Sequence, residues 1–221
     1  GVLLARDLLL FSAALGLGYG GLVAALALYG PAGSGAALRA GLTFAIGFVC
    51  WAGAVAILHG ASSPAFMLDG ARATHHFSMA EIERTAMVGK TVAGLPANKA
   101  AFVLSTVALF ALGGAFPFHG WLGRAAKDVG GPAFVFACAL GPRVAVVALL
   151  RANYTLLPEA ARWAEGPLVA VGAVSVAYAA LLTVAERDWR RVLAHAATAQ
   201  TGLAFASLAT ATAEGTAGAV A

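Results

Sequence analysis

Charge is scarce in this chain. Only 11% of its 221 residues are Asp, Glu, Lys or Arg, and 61% are hydrophobic, whereas soluble domains carry about 25% charged residues. The apolar stretches are continuous rather than alternating, which excludes a β-barrel and leaves helical membrane spans. The two cysteines, Cys50 and Cys138, sit in separate apolar runs. With no CxxC and no Cys/His ligand spacing, neither a disulfide framework nor a metal cluster is expected. No GxSxG, HExxH, P-loop or dinucleotide fingerprint stands in a suitable context. The chain is therefore expected to hold no catalytic site of its own and no quinone, haem, flavin or other cofactor. Its net charge of +4 is spread over loops and builds no nucleic-acid surface. There is no initiator Met and no signal-peptide pattern. The sequence starts inside an apolar segment and ends on small residues, and so reads as part of something longer.

What the chain has in abundance is hydrophobic length. Six spans and the start of a seventh are expected, in one membrane domain over residues 1–221. They run from Leu8 to Tyr29, Ala40 to Leu58, Ala100 to Phe116, Phe134 to Arg151, Leu168 to Ala185, and Val192 to Leu208. Glycines at positions 16, 18, 20 and 21 of the first span read as tight helix packing. A polar loop at 60–99 interrupts the pattern. Within it Ser78 and Glu81 fit a capping box, and Phe77 with Ile82 a hydrophobic staple. They predict an amphipathic helix over 78–92, lying on the membrane surface or against a partner. The neighbouring His75 and His76 read as solvated. Trp121 and His119 suit a membrane interface. Loop charge places Arg39, Arg124, Lys127, Arg187, Arg190 and Arg191 on one side, which predicts that this side is cytoplasmic.

One charge lies inside the fourth span. Arg143 stands near its middle, directly after Gly141 and Pro142. A guanidinium at mid-membrane costs roughly 3 kcal/mol on insertion scales. It is retained where a counter-charge, a water-filled cavity or a function accompanies it. The Gly-Pro pair frees carbonyls in the preceding turn, so a bend or break with exposed polar backbone is expected there. Arg143 is accordingly read as the centre of a buried polar pathway.

Three passages resemble a known family. PFHGWL (Pro117 to Leu122) is similar to a motif at the end of a broken helix. ERDWRRVLAHAATAQTG (Glu186 to Gly202) is similar to a longer pattern, matched at Asp188, Arg190, Arg191, Leu193, Ala194, Thr198, Gln200 and Gly202. AALR (Ala36 to Arg39), with AEI (Ala80 to Ile82) further on, is similar to the quinone-reductase branch. Together they resemble the proton-antiporter-like membrane subunits of respiratory complex I, shared with multisubunit cation/proton antiporters and inorganic-carbon pumps. The resemblance implies an all-α fold of two inverted five-helix repeats, each with a broken helix. This chain would cover the first repeat, with its break at Pro117. It also implies a multi-pass protein of an inner (cytoplasmic or organellar) membrane, assembled with other membrane and soluble subunits.

In that family a mid-membrane row of a glutamate, a lysine and a further basic residue moves protons. Here Gly16 stands at the glutamate's place, Leu112 at the lysine's, and Arg143 at the third. Lysine releases a proton when desolvated, whereas arginine does not. Arg143 is then a fixed charge that repels protons, orders water or binds an anion, and the row is degenerate. His195, replacing a family tyrosine, is either a relay or a packed, hydrogen-bonded histidine. The ion pathway is expected at Arg143, His195, Asp188 and Arg191, with helix-breaking residues Pro117, Gly141 and Pro142. The function implied first is a proton-translocating-type membrane subunit of a complex I-like, NADH:quinone oxidoreductase-like assembly. A subunit of a proton-driven CO2/bicarbonate uptake complex, a cation/proton antiporter subunit and a purely structural scaffold are the alternatives.

Overall fold

The computed structural model describes residues 7–31, 35–66, 91–92, 94–129 and 131–210, with Met79, Gly215, Gly218 and Ala219 as single positions. The helices are α1 (Leu8–Tyr29), α2 (Gly35–Phe66), α3 (Ala97–Gly113), α4 (Gly120–Asp128), α5 (Gly131–Ala148), α6 (Pro158–Trp163), α7 (Glu165–Ala185) and α8 (Trp189–Ala209). A π-helical segment, Leu149–Tyr154, extends α5. Five of the helical stretches are long and apolar enough to cross a membrane, and Ala97–Gly113 is a shorter apolar helix. The protein is an all-α, multi-pass membrane protein. A two-residue antiparallel pair, Thr91–Val92 with Leu95–Pro96, precedes α3. The amphipathic helix read at 78–92 lies outside the described residues for most of its length, and Thr91 and Val92 belong to this pair instead.

The spans are apolar on every side because they face two apolar media. In α1, Leu8, Phe11, Leu15, Tyr19, Leu22 and Leu26 form a buried stripe at helical spacing. The opposite face leaves Leu17 and Leu28 about four-fifths exposed, at 79% and 81%, as suits contact with lipid or another subunit.

The third span is broken, and earlier than the position of Pro117 implies. Gly114 takes a left-handed conformation (φ +70°) and ends α3 at Gly113, so residues up to Phe116 are not helical. Only glycine adopts this angle without strain. A Cβ at Gly114 would also stand 2.6 Å from Leu122 Cδ1. The chain then crosses a cis Phe116–Pro117 bond and restarts at Gly120. Protein groups satisfy the interrupted backbone, as a break at membrane depth requires. The carbonyl of Phe110 accepts from the amides of Gly114 and Ala115, and the amide of Phe116 donates to Ser175 Oγ at 3.2 Å. Ser175 lies on α7, so a neighbouring span holds the break in place.

Three expectations need correction. First, the chain is not broken at Gly141 and Pro142, because α5 continues through both as helix. Its irregularity falls about two turns later, in the π segment Leu149–Tyr154, where Asn153 Nδ2 donates to Thr106 Oγ1 of α3 at 2.9 Å. Tyr19 supports the Gly-Pro turn by donating its hydroxyl to the carbonyl of Gly141 at 2.7 Å. Tyr19→Phe removes one buried hydrogen bond and keeps the ring packed on Phe44. We expect a loss of about 1 kcal/mol, read as a fall of roughly 2–4 °C in the thermal midpoint in detergent.

Second, the glycines of α1 are not packing contacts within this chain: a Cβ at Gly16, Gly18, Gly20 or Gly21 meets nothing within 4 Å among the described residues. Close helix approach occurs at Gly47, Gly113, Gly172 and Gly202 instead. Third, Trp121 is no interface anchor. It is 1% exposed, edge-on to Phe44 at 5.0 Å, and packed where Gly141 leaves room.

Candidate ion-pathway site

The break between α3 and α4 lies beside the start of α8, where polar groups gather. Asp188 caps α8, its carboxylate accepting from the amide of Arg190 at 3.0 Å. This fixes the turn that carries Glu186 and Arg191. Arg191 Nη1 lies 3.1 Å from Glu186 Oε1, and His195 Nε2, one helical turn deeper, lies 3.8 Å from the same oxygen. The carboxylate thus stands between a permanent cation and a titratable ring. The Arg191–Glu186 pair is partly solvated and contributes about 1 kcal/mol or less to stability, so its interest is positional.

A cavity of about 390 Å³ opens on this cluster. Its walls are Arg39 from α2, Gly120, Gly123, Arg124 and Lys127 from α4, and Glu186, Arg191 and His195. Arg39 and Lys127 sit on the exposed rim, Arg124 and Arg191 are half-buried, and His195 is buried at the floor. Gly120 and Gly123 lack side chains that would fill the opening, and a Cβ at either meets nothing within 4 Å. Four cations face one carboxylate, a net charge of +3 with His195 neutral. Behind the cavity, His119 closes the break. Its ring meets Tyr178 at 4.9 Å and Phe116 at 6.1 Å. Its Nδ1 is buried with no hydrogen-bond partner among the described residues. Glu186 and His195 are therefore adjacent titratable groups in the cavity, and His119 stands next to the broken helix at the start of α4.

Arg143 lies elsewhere. It is exposed in this chain and lines a second cavity of about 370 Å³ between α5 and α8, with Cys138, Gln200 and Thr201 among its walls. It stands midway along the membrane-length stretch Gly131–Tyr154. Among the described residues no carboxylate pairs with it. So the structure brings His195 and Arg191 together, leaves Asp188 outside the cavity as the cap of α8, and sets Arg143 apart. Leu112 is fully buried against the site of Gly47, and Gly16 lies on α1 with open space at its Cβ. Sequence reasoning did not single out Glu186 or Tyr178. It counted Arg124 and Lys127 only as loop charge, and Arg39 as loop charge and as the end of the AALR passage; their shared side was the one available signal of a common site.

The fold is that of a multi-pass membrane protein built round a helix broken in mid-span and joined to a polar cluster. The chain belongs to the family described as NADH:quinone oxidoreductase/Mrp antiporter, transmembrane, whose model matches residues 5–221. Among similar proteins is an NAD(P)H-quinone oxidoreductase chain 4 of a Picosynechococcus species, 33% identical over 105 residues, covering 48% of this chain and 20% of that one. Another, NAD(P)H-quinone oxidoreductase chain 4 of Acaryochloris marina, is 31% identical over 104 residues, 47% of this chain and 20% of the relative. An uncharacterized protein of Mycobacterium tuberculosis is 31% identical over 130 residues, 59% of this chain and 20% of that protein. The matched region spans about one fifth of the length of these relatives.

Proposed function

We propose that this chain is the broken-helix part of a proton-translocating, antiporter-like membrane subunit of an NADH:quinone oxidoreductase-like assembly. Family membership over residues 5–221 is the observation that carries this reading, and the chain 4 relatives set its direction. In it, Glu186, His195 and His119 lead protons between the aqueous cavity and the break. Beyond the break the usual row is degenerate, since Gly16 and Leu112 supply neither carboxylate nor amine. Arginine, unlike lysine, does not exchange protons in proteins. Arg143 acts as a fixed positive charge that orders water in its own cavity and bars proton leakage along α5. Onward transfer then falls to the rest of the subunit or to partner membrane subunits, with the redox chemistry in soluble ones.

The test is made in inverted membrane vesicles from the source organism. Deleting the gene is expected to abolish most NADH-driven acidification, and mild-detergent purification of the tagged protein is expected to recover iron-sulfur subunits. Undiminished acidification, with no such subunits recovered, sinks the reading. The excess positive charge of the cavity and the absent glutamate and lysine favour a second reading, an inorganic-carbon uptake subunit. A zinc carbonic-anhydrase-like partner in the same purification would select it.

A further inference from the structure

We propose that the cationic cavity beneath Glu186 is a binding site for an oxyanion, either a free phosphate-like ion or the phosphate of an anionic lipid headgroup. The inference goes beyond the proton-transfer reading and does not rest on it. Arg191 is engaged by Glu186 at 3.1 Å, but among the described residues no carboxylate pairs with Arg39, Arg124 or Lys127. These three cations come from separate elements, α2 and α4, and converge on one opening of about 390 Å³. Like charges held together repel, so such convergence is destabilising unless a mobile anion occupies the centre. Guanidinium groups present forked N–H donors that match the oxygens of a phosphate, and Lys127 adds a point charge. The absence of side chains at Gly120 and Gly123 leaves the approach open. The depth also suits the ligand: His195 is buried at the floor, and the rim groups are those that loop charge assigns to the cytoplasmic face, where anionic headgroups are concentrated.

The experiment measures the thermal midpoint of the protein, purified from its own membrane and stripped of lipid, in neutral detergent. Three probes are added separately: inorganic phosphate, a short-chain phosphatidylglycerol, and a short-chain phosphatidylcholine, whose phosphate is offset by its own ammonium, as the net-neutral control. Wild type is expected to gain about 4 °C at roughly tenfold excess over the dissociation constant. The gain should saturate, and it should fade as salt shortens the screening length from about 8 Å to about 3 Å. The double variant Arg124→Gln, Lys127→Gln is expected to keep or raise its unliganded midpoint and lose the gain. Arg39→Gln, on a different helix, is expected to weaken binding about tenfold and guards against misfolding of α4. A gain with both phosphate and phosphatidylglycerol identifies a free oxyanion; a gain with phosphatidylglycerol alone identifies a lipid headgroup. No gain with either, an equal gain with phosphatidylcholine, or an undiminished gain in the variants overturns the proposal. Those results leave vesicle acidification, which tests the proton reading, unaffected.

Discussion

Gly202→Ala is expected to destabilise the protein by about 1–3 kcal/mol, seen as a fall of roughly 2–10 °C in the thermal midpoint in detergent. A Cβ at Gly202 would stand 2.5 Å from Ser175 Cβ and 2.9 Å from the carbonyl of Gly172. A Cβ at Gly172 would in turn stand 2.6 Å from the carbonyl of Gly202 and 2.7 Å from Ala206 Cβ. The obstacles are backbone and Cβ atoms, so no side-chain rotation relieves them and the helices must part. In lipid, helix association depends on such close packing because no hydrophobic gain separates protein from solvent. The effect extends to function, since Ser175 also accepts from the amide of Phe116 and holds the break. Gly18→Ala is the control. Its Cβ meets nothing, and alanine favours helix over glycine by up to about 1 kcal/mol. Its midpoint is expected to stay level or rise. Equal falls in both variants would refute the packing argument.

His195→Gln is expected to cut proton uptake about tenfold while leaving the thermal midpoint within about 2 °C of wild type. Glutamine keeps much of the bulk and can still hydrogen-bond, but it cannot carry a proton. His195 Nε2 faces Glu186 at 3.8 Å, so in the proposed route its removal opens the series at its middle. The measurement is dye-reported proton uptake by the complete protein in proteoliposomes under an imposed potential. Glu186→Gln is expected to lower uptake similarly and to free Arg191 without disturbing the Asp188 cap. Unchanged uptake with a lowered midpoint in His195→Gln would assign the ring to packing alone.

Much of the architecture could be read in advance, because membrane spans are written as local composition. Five of the six apolar stretches became helices within about three residues of their expected limits; the second, expected over Ala40 to Leu58, is helix over Gly35–Phe66. The π turn at Leu149–Tyr154 answers to the Asn153–Thr106 contact, which joins residues 47 apart in the chain. Trp121 looked like an interface residue because its neighbours His119 and Arg124 are polar. It is a core residue because Phe44 and Gly141 leave a slot for its ring. The α1 glycines misled because glycine in an apolar helix signals close approach without saying to what.

Local composition determined that this is a helical, multi-pass membrane protein, that one span stops near Pro117, and that another span carries an arginine, Arg143, near its middle; the broken helix and the lysine usual at such a place came from the family resemblance. The first three follow from runs of neighbouring residues whose transfer free energies and backbone constraints need no distant partner. Only the tertiary structure decided that Arg39, His119, Arg124, Glu186, Arg191 and His195 surround one site while Arg143 belongs to another. They come from three places far apart in the chain, near residues 39, 119–124 and 186–195, and what unites them is the way the helices pack.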